Sequence, residues 1–307
     1  MIGKKSIVII QARMGSHRLP GKALLPIENI PIIILVAKRA ANTGRPVVVA
    51  TSNKASDDIL VKSLIKNNIS FYRGSSENVL SRFVNIVKKF NNEQIIFRLT
   101  ADNVFPDGRL LDEMEKFFLK NKNNYLTCGD ARSGLPYGVS VELMRVKHIR
   151  EAGLKSESLH EKEHVTLYIA KKMKVSFFSN YKKINMQSYR CTIDTLEDYK
   201  KIKKIFNGLG KKSFKISFND LIKRLHKLEN VSFKKNKHKI ILGTAQLGAK
   251  YGIMNKSHKP SSLEVNNILR KAIANGVEHI DTARTYKNSE KIIGDFLNNK
   301  IFLKKKI

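Results

Sequence analysis

The apolar run Ser6-Ile-Val-Ile-Ile10 opens without a break into Gln11-Ala-Arg-Met-Gly-Ser-His-Arg-Leu-Pro-Gly-Lys22. A β-branched run of this kind reads as a buried strand, and the loop after it carries two Gly, one Pro, two Arg and one Lys. Open α/β sheets bind ligands beyond the carboxyl ends of their strands, where turns of backbone N–H groups make anion-binding concavities. The glycines allow sharp turns and close backbone approach, and Pro20 stiffens the loop ahead of Lys22. Ala12, Arg13, Gly15 and Ser16 are therefore the candidate phosphate cradle, with Arg13, Arg18 and Lys22 supplying charge. An ordinary basic surface loop is the plainer alternative in so Lys-rich a chain.

The chain that follows alternates strand and helix signals. Pro31 opens an apolar helix to about Ala41, Asn42-Thr-Gly44 ends it, and Pro46-Val-Val-Val-Ala-Thr51 is a second buried strand. Ser56-Asp-Asp offers N-cap chemistry for a second helix, and Ser70-Phe-Tyr-Arg73 is a short strand. Val79, Leu80, Phe83, Val87 and Phe90 share one helical face, and Gln94-Ile-Ile-Phe-Arg-Leu99 is a fourth strand. This alternation predicts an α/β fold, a doubly wound, mostly parallel sheet. The fourth strand ends in Thr100-Ala-Asp102, which puts a carboxylate at the same sheet edge as the basic loop. Asp102 is the candidate Mg²⁺ ligand, because Mg²⁺ takes one or two protein carboxylates and completes its octahedron with water and phosphate. Asp107 is read as the cap of the helix that follows.

A net charge of +32 raises nucleic acid or an anionic membrane as partners. The lysines, however, are scattered through nearly every segment, no nucleic-acid motif appears, and no specific nucleic-acid partner is expected. Cys128 and Cys191 lack any metal-ligand spacing. The apolar runs fall far short of the roughly 18 residues that span a bilayer, and there is no signal-peptide pattern, so no membrane association and a cytoplasmic location are expected.

The stretch Ile-Ile-Gln-Ala-Arg-Met-Gly-Ser-x-Arg-Leu-Pro-Gly-Lys resembles the opening of the spore-coat-polysaccharide type of sugar cytidylyltransferase, which in turn resembles the CMP-sugar synthetases; His17 stands where that family usually has Thr. The resemblance implies transfer of CMP from CTP to a sugar of the acidic, surface-polysaccharide kind, with Arg13 and Lys22 on the phosphates and Mg²⁺ on Asp102. The family's Thr-Gly-Asp-Cys-Pro-Leu-Ile-Asp run is altered here, with Ala101 for Gly and the Pro moved to 106. Its Asp-Thr-Pro-Glu-Asp run is matched by Asp194-Thr-Leu-Glu-Asp198, which implies Asp194 as the second metal carboxylate beside a simple helix-entry role. Gly138-Val-Ser-Val-Glu142 and Lys162-Glu-His-Val-Thr166 match segments on the sugar side of the cleft. They make Glu142, Glu163 and His164 candidates with Tyr137 from the preceding loop, although a His beside a Glu on a helix is as often a capping or packing residue. Thr51 and Ser52 are placed to bond the base, while Arg73 and Arg82 contact phosphate or stay solvated. Another nucleotide or sugar on the same fold is the enzyme alternative, a basic nucleic-acid-binding protein the non-enzyme one, and a homodimer is left open.

Residues 1–233 are assigned to this transferase, 234–238 to a basic linker, and 239–307 to a different pattern. Ile240-Ile-Leu-Gly-Thr-Ala-Gln-Leu-Gly248 and Gly276-Val-Glu-His-Ile-Asp281-Thr-Ala-Arg-Thr-Tyr286 resemble the beginning of an aldo-keto reductase, with Asp281 and Tyr286 at catalytic positions. A (β/α)8 barrel needs roughly 250 residues, so the segment is expected to be an incomplete barrel fragment that is inactive as a reductase and binds no NADPH.

Overall fold

The computed structural model describes residues 6–16, 18–129, 131–236, 240–249, 260–275 and 277–298. The chain divides into two compact units, residues 1–225 and 226–307.

In the first unit β1 (Ile7–Gln11) leads into the basic loop, then the two-residue strands β2 (Pro26–Ile27) and β3 (Ile30–Pro31) form a small hairpin ahead of α1 (Ile32–Ala40). There follow β4 (Val47–Ser52), α2 (Asp58–Lys66), β5 (Ser70–Gly74), α3 (Val79–Ile86), β6 (Ile95–Thr100) and α4 (Gly108–Lys120). After β7 (Tyr125–Thr127) and β8 (Glu142–Arg145) come α5 (Val146–Lys155), α6 (Leu159–His164), α7 (Leu167–Lys172), β9 (Val175–Phe177), α8 (Leu196–Phe206) and α9 (Phe218–Asn236).

The seven main strands form one sheet in the order β5-β4-β1-β6-β8-β7-β9, in which β8 alone runs against its neighbours. Ile7 to Ile10 are almost fully buried because β1 lies mid-sheet with elements packed on both faces. The chain winds outward through β4 and β5 and then returns to place β6 on the other side of β1. The sheet's topological switch point therefore lies between the carboxyl ends of β1 and β6, where Gln11 and Thr100 are register partners. The expected doubly wound, mostly parallel fold is what the chain adopts. The core on one side of the sheet unites Ile9, Ala50, Phe83, Val87, Ile96, Met144 and Ile149.

Asp107 caps α4, its carboxylate accepting from the Leu110 N–H at 3.1 Å. Ser56 caps nothing: residues 55–57 form a short 3-10 turn, and the Asp57 carboxylate turns inward instead of capping α2. The segment from Arg190 to Asp194, which leads into α8, makes isolated bridges, Tyr137 with Arg190 and Asn103 with Thr192. The segment read as linker begins inside α9, which continues through Asn236; residues 237–239 lie outside the described residues.

The second unit pairs β10 (Ile241–Gly243) with β11 (His279–Asp281) in parallel. Helices α10 (Ala245–Gly248), α11 (Ser262–Ala274) and α12 (Ser289–Asn298) accompany them, and Leu247, Val265, Leu269 and Phe296 form its small core. Asp281 ends β11, its carbonyl accepting from the Thr244 N–H, and Tyr286 closes the next short turn.

Candidate active site

Two backbone bonds open the cleft. Ala12 donates to the Ala50 carbonyl at 3.1 Å and Ala101 donates to the Gln11 carbonyl at 3.1 Å, so the chain leaves β1 and β6 side by side. The basic loop then folds on the Met14 carbonyl, which accepts from the N–H groups of Ser16 and Gly21 at 2.9 and 3.2 Å. Gly21 has φ of 71°, the left-handed conformation that Gly adopts without steric cost. Ala12, Arg13, Gly15, Ser16, Lys22, Asp102 and Asp194 all line one cavity of about 310 Å³ at this edge. The residues expected to cradle a phosphate and to hold a metal thus share one wall.

Lys22, expected to meet the phosphates, here meets the two carboxylates. Its ammonium donates to Asp102 Oδ2 at 2.8 Å, to the Ile193 carbonyl at 2.8 Å and to Asp194 Oδ1 at 3.1 Å, so all three N–H bonds are engaged. Asp194 also receives Arg18 at 2.9 Å and Arg190 at 2.7 Å. Burial pushes its carboxyl up, but Lys22, Arg190 and Arg18 together hold it below the usual carboxylate range. Asp102 Oδ1 accepts from the Thr100 hydroxyl at 2.5 Å. Two carboxylate oxygens from distant segments thus face a single cationic atom. That donor set suits Mg²⁺ with water and phosphate completing its shell; among the described residues no group of three or more acidic, His or Cys side chains is arranged for a metal.

A second cavity of about 460 Å³ shares Arg13, Gly15, Ser16 and Glu163 with the first and adds Ser52, Lys54 and Asp57. A third, of about 240 Å³, lies on the other side of Asp102 and Asp194 and includes Tyr137, Asn103 and Ser140. Arg13 pairs with Glu163 at 3.3 Å, both about half exposed, across the first two cavities.

Other candidates are placed differently from the sequence reading. Thr51 is fully buried, and its hydroxyl, like that of Ser52, is donated to Asp57, so neither hydroxyl is free to meet a base. Arg73 donates to the Ser52 and Lys54 carbonyls and pairs with Asp58, outside the three cavities. Arg82 is neither solvated nor free: it is buried, donates to the carbonyls of Ser75, Ser76 and Ala50, and lines the first cavity. Glu142 lines none of the three cavities. It is clamped by Arg98 at 2.6 Å, Tyr125 at 2.9 Å and Thr166. His164 is exposed with its ring against His160, away from the cavities. Asp57 was missed. Its signal was the polar pair Thr51-Ser52 ending a buried strand, two hydroxyls that need a nearby acceptor.

A switch-point cleft with a Gly-rich basic loop and two convergent carboxylates defines a nucleotidyltransferase. The cytidylyltransferase family model matches residues 7–241, and the chain belongs to that family. It is 34% identical over 232 residues to the spore coat polysaccharide biosynthesis protein SpsF of Bacillus subtilis, covering 72% of this chain and 94% of that one. A 3-deoxy-manno-octulosonate cytidylyltransferase of Bradyrhizobium is 49% identical over 63 residues, 20% of this chain and 25% of the relative. The structure of a cytidylyltransferase from Leptospira borgpetersenii superposes with a TM-score of 0.65 at 30% identity, covering 74% of this chain and 96% of that one. The aldo/keto reductase family model matches residues 239–307. No described helix is long and apolar enough to cross a membrane.

Proposed function

We propose that the chain transfers CMP from CTP to a sugar of the acidic, surface-polysaccharide type, releasing pyrophosphate, and that residues 1–233 carry this activity. The observation that carries the proposal is the meeting of Asp102 and Asp194 on the Lys22 ammonium at the switch point, facing the loop from Ala12 to Lys22. The Bacillus relative's name places it in spore coat polysaccharide biosynthesis and the Bradyrhizobium relative's name gives an acidic sugar as its substrate, which supports the choice of acceptor.

A sugar hydroxyl attacks the α-phosphorus of CTP and loses its proton to solvent as the new O–P bond forms, and the bond from the α-phosphorus to the oxygen bridging to the β-phosphate breaks with pyrophosphate leaving. No covalent enzyme intermediate is needed, so the side chains position groups and neutralise charge. The Gly15 amide and the Arg13 side chain hold the triphosphate in the first cavity. Asp102 and Asp194 would hold Mg²⁺, which when bound neutralises charge developing on the transferred phosphate. Lys22, displaced from the carboxylates, would turn its ammonium to the phosphates. The third cavity, beyond the two aspartates and beside Tyr137, takes the sugar. No role in the reaction is proposed for residues 239–307, and NADPH binding is not expected.

Pyrophosphate release measured for CTP, UTP, ATP and GTP against a panel of acidic and neutral sugars tests this reading. The expected result is release with CTP and an acidic sugar; release with another nucleotide alone would overturn the choice of CTP.

A further inference from the structure

Asp57 is 1% exposed and lies at the wall of the second cavity. Its two oxygens divide their work. Oδ2 accepts from the Thr51 hydroxyl at 3.0 Å, the Ser52 N–H at 3.1 Å and the Ser52 hydroxyl at 2.5 Å, all at the end of β4. Oδ1 accepts from the Met14 N–H at 2.8 Å, in the basic loop. Burial pushes the carboxyl up, but the bonds from Ser52, Met14 and Thr51 bring it below the usual range, so the charged form is the one the fold holds.

We propose that Asp57 is a positioning residue for nucleotide binding: its carboxylate fixes Met14, and through Met14 the whole curvature of the loop that meets the triphosphate. Met14 is the hub of that loop. Its N–H goes to Asp57 while its carbonyl gathers the N–H groups of Ser16 and Gly21, the residue before Lys22. The Arg13–Met14 peptide is thus held through its N–H and the Met14–Gly15 peptide through its carbonyl, which fixes where the Gly15 amide points, and a pre-ordered donor spares the ligand the cost of ordering it. Arg82, which lines the first cavity with Arg13, has its charged form favoured by the Asp57 carboxylate against the cost of its burial. A carboxylate that served only to start α2 would cap that helix, and Asp57 does not.

The inference rests on the nucleotide reading above, and Asp57→Asn tests it. The three donors of β4 demand an acceptor, so the amide's oxygen faces them and its NH₂ is turned against the Met14 N–H, breaking the loop side alone. Asp107→Asn, in an equally buried carboxylate that caps α4, is the structural control. CTP binding by calorimetry is expected to weaken at least tenfold in Asp57→Asn and to stay unchanged in Asp107→Asn, with both folded by circular dichroism. The KM for CTP should rise more than kcat falls, since Lys22, Asp102 and Asp194 remain. Undiminished CTP binding in Asp57→Asn beside a binding wild type would overturn the clamp alone; a wild type that bound no CTP would overturn both readings. Should Asp57→Asn not fold, amide exchange in the wild type decides: a strongly protected Met14 N–H supports the clamp, and exchange at the rate of an unstructured amide overturns it.

Discussion

The Lys22 ammonium lies 2.8 Å from Asp102 Oδ2, on the carboxylate proposed to hold Mg²⁺. With Asp194 at 3.1 Å the same nitrogen neutralises two acids, and Lys22 is only 16% exposed. A lysine in that position both competes with a divalent cation and stores a positive charge beside it. Lys22→Met removes the competitor and keeps the chain's length. In the free protein, Mn²⁺ affinity measured by electron paramagnetic resonance should rise about tenfold or more, a change worth ~1.4 kcal/mol. Pyrophosphate release should fall on the order of a hundredfold or more, because a charge aimed at the transition state is lost. Unchanged Mn²⁺ affinity would show that the two carboxylates do not form a cation site.

Asp102→Asn and Asp194→Asn attack the same centre from the acidic side. Each removes one of the charges that would hold Mg²⁺ against the triphosphate, so turnover should drop on the order of a hundredfold or more. Asp107→Asn should cost stability and leave turnover near normal, since that carboxylate bonds the Leu110 and Phe218 N–H groups. Near-normal turnover in Asp102→Asn would remove the basis for its metal role.

Asp198 carries a pH signature. Burial pushes its carboxyl up, but Arg190 at 2.8 Å and the N–H groups of Asp194 and Thr195 bring it down to about 2 from an ordinary 3.8. A lowered carboxyl in the folded state contributes stability above the unfolded value and loses it as pH falls through the folded one. At about 1.4 kcal/mol per pH unit the contribution at neutral pH is about 2 kcal/mol. Urea unfolding should therefore show Asp198→Asn less stable than wild type by about that amount at pH 7. The gap should shrink steadily between pH 4 and pH 2, and a gap independent of pH would refute the ionic origin.

The parts of this fold that sequence made legible are those written in local chemistry. Ile7 to Ile10 declare a strand buried on both faces, Asp107 stands three residues before the N–H that it caps, and the ordered loop Gln11 to Lys22 marks the cleft. What stayed hidden depends on partners far along the chain. Glu142 looked like a cleft residue until Arg98 of the neighbouring strand met it, and Thr51 and Ser52 looked available until Asp57 took both hydroxyls. The contact of Lys22 with Asp102, Asp194 and the Ile193 carbonyl was hidden for the same reason, since those oxygens lie 80 to 172 residues further along the chain.

Glu142→Gln separates a structural acid from a substrate-binding one. The Arg98–Glu142 contact is 2.6 Å between side chains that are 12% and 16% exposed, and Tyr125 and Thr166 add donors to the same carboxylate. The amide cannot accept all of them, so unfolding free energy should fall by about 2 kcal/mol. The KM for the sugar should stay within about twofold, well under the tenfold that ~1.4 kcal/mol of lost binding would give. A large rise in that KM with unchanged stability would return Glu142 to the sugar site.

Gly138 is the position where backbone approach, and not side-chain chemistry, shapes the acidic centre. Its φ is 106°, and a Cβ placed there would lie 2.3 Å from the Thr192 nitrogen and 2.8 Å from the Cys191 carbonyl carbon. Those are backbone atoms two and three residues before Asp194, so they cannot yield without moving the carboxylate. Gly138→Ala should lower stability by about 2 kcal/mol or more, from the unfavourable φ and the overlap together. Turnover should fall with it as Asp194 is displaced from Lys22. Gly208→Ala is the control, because Gly208 has φ of 76° but open space around its Cα. That variant should cost about 1 kcal/mol from the left-handed conformation alone, with turnover unchanged. Thermal melts and pyrophosphate release on the two variants tell a backbone contact at the site from a simple turn requirement, and equal turnover in both would show that the Gly138 approach does not position Asp194.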